Sequence, residues 1–132
     1  MRAQKHRDIP ASDIEWRDGS EEGIKYARFR MDETNAASPS IIISRFAPGA
    51  SVAAHTHASN YFEYILKGDQ MVGKKVFRAG DVRIVEGGTG YGPIKVGPEG
   101  CTVLIVFEDA SRSMTEFLPR KEAGGSQGKR SA

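Results

Sequence analysis

Two of the three histidines stand two residues apart, in His55-Thr56-His57. On an extended strand, residues i and i+2 face the same way. Two imidazoles then share one face at a spacing that can chelate one divalent ion. The same spacing also suits two solvent-facing rings at a strand end, so the neighbouring residues decide its meaning. Tyr61-Phe62-Glu63-Tyr64 follows closely. If Tyr61 points into a core, Glu63 does too. A buried carboxylate must pair, coordinate or protonate, which makes Glu63 a candidate metal ligand or general base. The opposite register turns Glu63 outward, opposite Lys67 or Arg83, and swaps Phe62 and Tyr64 with it. Tyr91 closes the set, after the glycine-rich Gly87-Gly88-Thr89-Gly90. That run lacks the Lys-Ser/Thr and the helix of a phosphate loop. A tight turn that delivers Tyr91 to the site is the better reading.

The elements that must position these groups are short strands between turn residues. Asp13–Arg17 alternates and ends at Asp18-Gly19. Ile24–Arg30 puts Ile24, Tyr26 and Arg28 on one side. Ser40–Phe46 stops at Pro48-Gly49, Ser51–His57 carries the histidines, and Tyr61–Lys67 stops at Gly68-Asp69. Gly73-Lys74 reads as a hairpin turn between Gln70–Val72 and Lys75–Arg78. Asp81–Val85 and Tyr91–Val96 follow. Gly97-Pro98-Glu99-Gly100 reads as a turn before Cys101–Phe107, the most apolar strand. Residues 110–118 hold one short helical turn. No long window keeps a helical period, so the expected architecture is an all-β antiparallel sandwich or barrel. Its domain spans 11–118, with a flexible N-terminus at 1–10 and a disordered basic tail at 119–132.

Composition narrows the function. The chain of 132 residues fits one domain. The net charge of +2 sits on its ends: residues 1–10 carry +2 and 119–132 carry +3, leaving −3 on the body. A nucleic-acid groove needs a basic stripe on the body, so none is expected. No apolar run reaches the ~20 residues of a membrane helix. The single Cys101 excludes an internal disulfide and suits a reducing cytoplasm. No histidine partners it in sequence, so its expected role is structural. Trp16 is expected in a core or subunit interface, and His6 in the N-terminus has no expected role.

At this point the chain resembles the cupin superfamily, over about residues 40–108. The first cupin motif, G-x5-H-x-H-x3,4-E-x6-G, is matched by Gly49, His55, His57 and Gly68. The second, G-x5-P-x-G-x2-H-x3-N, is matched at Gly80-Asp81, with Glu86-Gly87-Gly88 standing in place of P-x-G. The resemblance implies a jelly-roll (double-stranded β-helix) barrel. It also exposes two departures. Tyr61 stands at the glutamate-ligand position and Tyr91 at the third-histidine position, so a three-histidine, one-glutamate site cannot be built. Three arrangements remain open. Glu63 can join His55 and His57 as a third ligand, a set that suits Fe, Mn, Ni or Zn. The phenol of Tyr91 or Tyr61 can serve as ligand or hydrogen-bond partner. Or the metal is lost, and the cavity binds a small molecule directly. The resemblance implies a metal-dependent enzyme of dioxygenase, isomerase or lyase type. Its substrate would be a small oxygenated molecule held by Tyr61 and Tyr91, with Glu63 and Tyr91 as the catalytic groups. The alternative is a non-catalytic cupin that binds or senses a small ligand. A homodimer is expected, paired through sheet edges and an N-terminal strand within 11–31.

Overall fold

β-branched and aromatic runs recur between glycine, proline and asparagine turns, and such runs favour the pleated backbone. The computed structural model describes residues 6–119; the expectations for 1–5 and 120–132 lie outside the described residues. The chain forms β1 (Arg17–Asp18), β2 (Ile24–Arg30), β3 (Ser40–Phe46), β4 (Ser51–Val52) and β5 (His55–His57). It continues as β6 (Tyr61–Val72), β7 (Lys75–Arg78), β8 (Val82–Val85), β9 (Ile94–Phe107) and β10 (Thr115–Phe117). Short 3-10 turns lie at Ala11–Asp13 and Ala110–Arg112. One sheet runs β1-β2-β3-β9-β6-β7, with β4 also on β9 and β8 also on β6; β5 and β10 form a second, small sheet. Every strand pairing is antiparallel. The fold is the expected jelly-roll barrel.

The long strands are where the structure departs from the pattern read in sequence. Gly68-Asp69 does not end a strand. β6 runs through it, shifting register between Ile65 and Lys67 and again between Gly68 and Gln70. Such bulges bend a strand and let it wrap a barrel. Gly68 sits at φ +77°, and a Cβ there would lie 1.9 Å from the Gly100 carbonyl oxygen. Only glycine permits that crossing of β6 over β9. Gly97–Gly100 is not a turn either but the middle of β9. Conversely, the expected strand Ser51–His57 breaks into β4 and β5, because the Ala53 amide leaves the ladder to bond the Glu21 carboxylate. The expected strand Asp13–Arg17 reduces to the 3-10 turn and β1. Trp16 instead lies under the Arg45 guanidinium, 3.8 Å from ring centre to Cζ.

Register assigns the faces. Tyr61, Glu63 and Ile65 of β6 lie opposite Phe107, Ile105 and Val103 of β9 and point inward. Ile65 and Val103 join Val52, Ile94, Val96 and Cys101 in the core. Each such fully buried aliphatic chain contributes about 1.5–3 kcal/mol. The outer face is apolar too. One row runs Ile84, Phe62, Val106, Ile41 and Phe29, and the next Val82, Tyr64, Leu104, Ile43 and Ala27. Ala27 at one end is buried, whereas Ile84 at the other is 79% exposed.

Candidate functional site

The barrel encloses a cavity of about 380 Å³ lined by His55, His57, Tyr61, Glu63 and Tyr91 among others. All five residues singled out in sequence thus reach one space. The histidine strand is held from both sides. His55 and Tyr91 exchange both backbone hydrogen bonds at 3.0 Å, and β10 pairs along the other edge, Thr115 opposite His57 and Phe117 opposite His55. The rings are fixed as well. His55 Nδ1 lies 2.8 Å from the Ala53 carbonyl oxygen, and His57 Nδ1 lies 2.9 Å from that of Ser113. A carbonyl only accepts, so each Nδ1 carries the proton and donates it. Each Nε2 is left with a lone pair. This is the second contact that orients a metal-ligating histidine. Burial lowers both histidine pKa values, and the neighbouring His55 lowers that of His57 further. Both rings are therefore neutral at pH 7.

Aromatic rings surround the pair. The two histidine centroids are 5.2 Å apart, nearly perpendicular. Tyr91 stands 4.7 Å from His55, and Tyr61 5.1 Å from His57. Burial raises the Tyr61 pKa far above its ordinary range, and the buried Tyr61 hydroxyl lies beside that of Tyr91 without a hydrogen bond of good geometry. Burial, helped by the charge of Glu63, pushes Tyr91 up to about 12. Both phenols stay protonated at neutral pH, which argues against either as an unassisted anionic ligand. Cys101 is buried, its thiol pushed up to about 12 by burial. His6 is exposed beside Asp8 and does not line the cavity.

Glu63 points inward, 5% exposed, but not as a free carboxylate. Arg83 Nη1 donates to its Oε1 at 2.7 Å, and Gln70 Nε2 donates to the same oxygen at 3.4 Å. Arg83 is itself nearly buried. Burial opposes its charge, yet the Glu63 carboxylate outweighs this and raises its pKa. The guanidinium also lies 4.6 Å from the Tyr91 ring centre and 5.2 Å from that of Phe77. Among the described residues, no three His, Cys, Asp or Glu side chains are placed to hold a metal ion together. The three members of the expected His55–His57–Glu63 set all line the cavity, with Glu63 Oε1 engaged by Arg83. Arg83 was expected to meet Glu63 only on the outside. Alternation hid its position, since apolar Val82 and Ile84 read as the buried face of β8 while Arg83 between them faces in. Sequence reasoning also missed the segment Ser113–Phe117, which lines the cavity mouth and carries no motif.

The ChrR cupin-like domain family matches residues 4–110. No curated relative matches the chain. Among solved structures, the polyketide cyclase RemF from Streptomyces resistomycificus superposes with a TM-score of 0.73 at 15% identity, covering 89% of each chain. An RmlC-like cupin from Shewanella frigidimarina gives 0.65 at 23% identity, covering 85% of this chain and 96% of that one. Oxalate decarboxylase from Bacillus subtilis, a protein with Mn(II) centres, gives 0.68 at 23% identity. There the match covers 88% of this chain but 34% of the other, so this chain spans about a third of that protein. At these identities the likeness shows the fold.

Two outcomes follow from the site's electrostatics. Arg83→Met strands a buried carboxylate and is expected to cost about 3–5 kcal/mol in urea unfolding, most of it recovered in the Glu63→Gln/Arg83→Met double variant. The histidines fix a pH dependence. Their folded pKa values lie below the ordinary 6.5, so the unfolded chain binds more protons as pH falls. Their contribution is complete above about pH 6.5 and is lost below it, at up to about 1.4 kcal/mol per pH unit for each ring. Urea unfolding from pH 8 to pH 5 should show that loss, and His55→Gln/His57→Gln should flatten it.

Proposed function

We propose a function from the premise that the chain belongs to the ChrR cupin-like domain family: the barrel is the site of a small enzyme that binds one divalent metal through His55 and His57 and acts on a small oxygenated organic molecule. The observation that carries this is the pair of buried, neutral imidazoles with Nδ1 tied to carbonyls and Nε2 left free in one cavity. The donor set suits Fe, Mn, Ni or Zn, and the Mn(II) centres of oxalate decarboxylase support metal in a barrel of this shape. When bound, the metal supplies Lewis acidity toward a substrate oxygen. The chain's own groups do the rest. The protonated phenols of Tyr61 and Tyr91 donate hydrogen bonds to substrate oxygens. Glu63, fixed through Oε1, keeps Oε2 to receive a proton. Phe107 and Ile105 exclude water beside it. Dioxygenase, isomerase and lyase chemistry all fit these roles.

A second reading has its own observation. With Glu63 held by Arg83 and, among the described residues, no three His, Cys, Asp or Glu side chains placed to hold a metal ion together, the cavity can bind a ligand without metal and without turnover. Metal analysis of protein purified without a histidine tag separates the two. The enzyme reading expects about one transition metal per chain, lost in His55→Ala/His57→Ala while circular dichroism is unchanged. Metal-free protein that stays folded and refuses Fe, Mn, Ni and Zn supports the second reading and overturns the first.

For the homodimer we propose a contact other than the sheet edges and N-terminal strand expected from sequence, namely the outer sheet face. The two outer rows across β8, β6, β9, β3 and β2 contain no charged side chain, and at their β8 end Val82 and Ile84 are exposed, so an apolar face can cover them there. A second copy of the chain presents such a face. Sedimentation equilibrium is expected to show a dimer that Ile84→Glu converts to a folded monomer. A wild-type monomer at high micromolar concentration would contradict this.

A further inference from the structure

The family match stops at residue 110, yet the cavity does not. The chain turns through Ala110–Arg112, capped by the Asp109 carboxylate on the Ser111 amide, and comes back across the mouth. The start of this return is pinned. Ser113 is 3% exposed, its hydroxyl donates to the Ala110 carbonyl, and its own carbonyl receives the His57 Nδ1 proton. Beyond it β10 pairs with β5 alone, and the Leu118 amide bonds the Ala54 carbonyl. Met114 and Phe117 line the cavity, but they are 74% and 47% exposed. The Phe117 ring centre lies 6.2 Å from that of His55.

Depth and mouth thus differ in chemistry. Inside stands the Tyr61 hydroxyl, on a residue 4% exposed, beside the Tyr91 hydroxyl but without a hydrogen bond of good geometry. A buried donor left unpaired is costly and calls for an acceptor from a ligand. At the mouth two large apolar side chains face solvent and gain by being covered. We infer that Ser113–Phe117 is the specificity wall of the cavity, with Met114 and Phe117 receiving the apolar end of a ligand whose oxygenated end points inward to Tyr61 and the histidine pair. The ligand class is an amphipathic molecule, an oxygenated ring or acyl head carrying an apolar extension. A cavity of about 380 Å³ encloses the head of such a molecule and leaves the extension at the rim. This inference rests on the proposed reading of the cavity as a small-molecule site.

The test compares phenol with 4-phenylphenol on the full chain by calorimetry, together with the methyl spectrum of protein carrying ¹³C-methyl methionine. The second ring is expected to tighten binding at least about tenfold. It should also shift the Met114 methyl, while that of Met31, which is 64% exposed and does not line the cavity, stays put. Met114→Ala/Phe117→Ala should remove most of the tenfold preference, and Phe117→Leu should keep part of it. If both probes bind but the double variant leaves their ratio unchanged, or if Met31 responds as Met114 does, the wall is overturned and the site stands. If neither probe binds the wild type, the small-molecule reading falls and the wall with it.

Discussion

A carboxylate inside a barrel has to be answered by a positive charge, and here the Glu63–Arg83 pair at 2.7 Å is that answer. Much of the site's arrangement follows from it. β8 must lie against β6 in the register that sets Arg83 opposite Glu63. The guanidinium, once inside, packs on the Tyr91 ring. Tyr91 in turn grips the backbone of His55. One ion pair therefore connects β6 and β8, through Tyr91, to the end of the histidine strand. It also engages Glu63 Oε1 in the cavity that the two imidazoles share.

The second constraint is directional. A histidine becomes a dependable ligand only when its other nitrogen is occupied. Here the Ala53 and Ser113 carbonyls occupy it. Those carbonyls come from the break between β4 and β5 and from the return after β9. Both are irregular backbone, placed where a continued ladder would have consumed the acceptors. Fold and chemistry meet at these interruptions rather than at the regular strands.

Much of this was legible in the sequence. The His55-Thr-His57 spacing, the Ile24–Arg30 alternation, the Ser40–Phe46 strand and the Gly73-Lys74 hairpin are all realised as read. Glycine misled at Gly68 and Gly97–Gly100, because a glycine that allows a turn also allows two strands to cross closely. The inward position of Arg83 was not legible, since the alternation rule assumes that the apolar side faces the core. In β8 Arg83 turns inward to Glu63, and Val82 and Ile84 take the outer face, where they are exposed. The role of Ser113 was beyond reach for another reason: it acts through a backbone carbonyl, which leaves no mark on residue type.

The central claim is that both rings stand neutral, protonated on Nδ1, with Nε2 open to the cavity. Long-range ¹H–¹⁵N spectra of the histidine ring nitrogens in metal-free protein at pH 7 test it directly. The account predicts that both rings show a protonated Nδ1 and a bare Nε2, and that the two Nε2 signals move together when Zn(II) is added. A proton on Nε2 of either ring, or Nε2 signals indifferent to Zn(II), would contradict it.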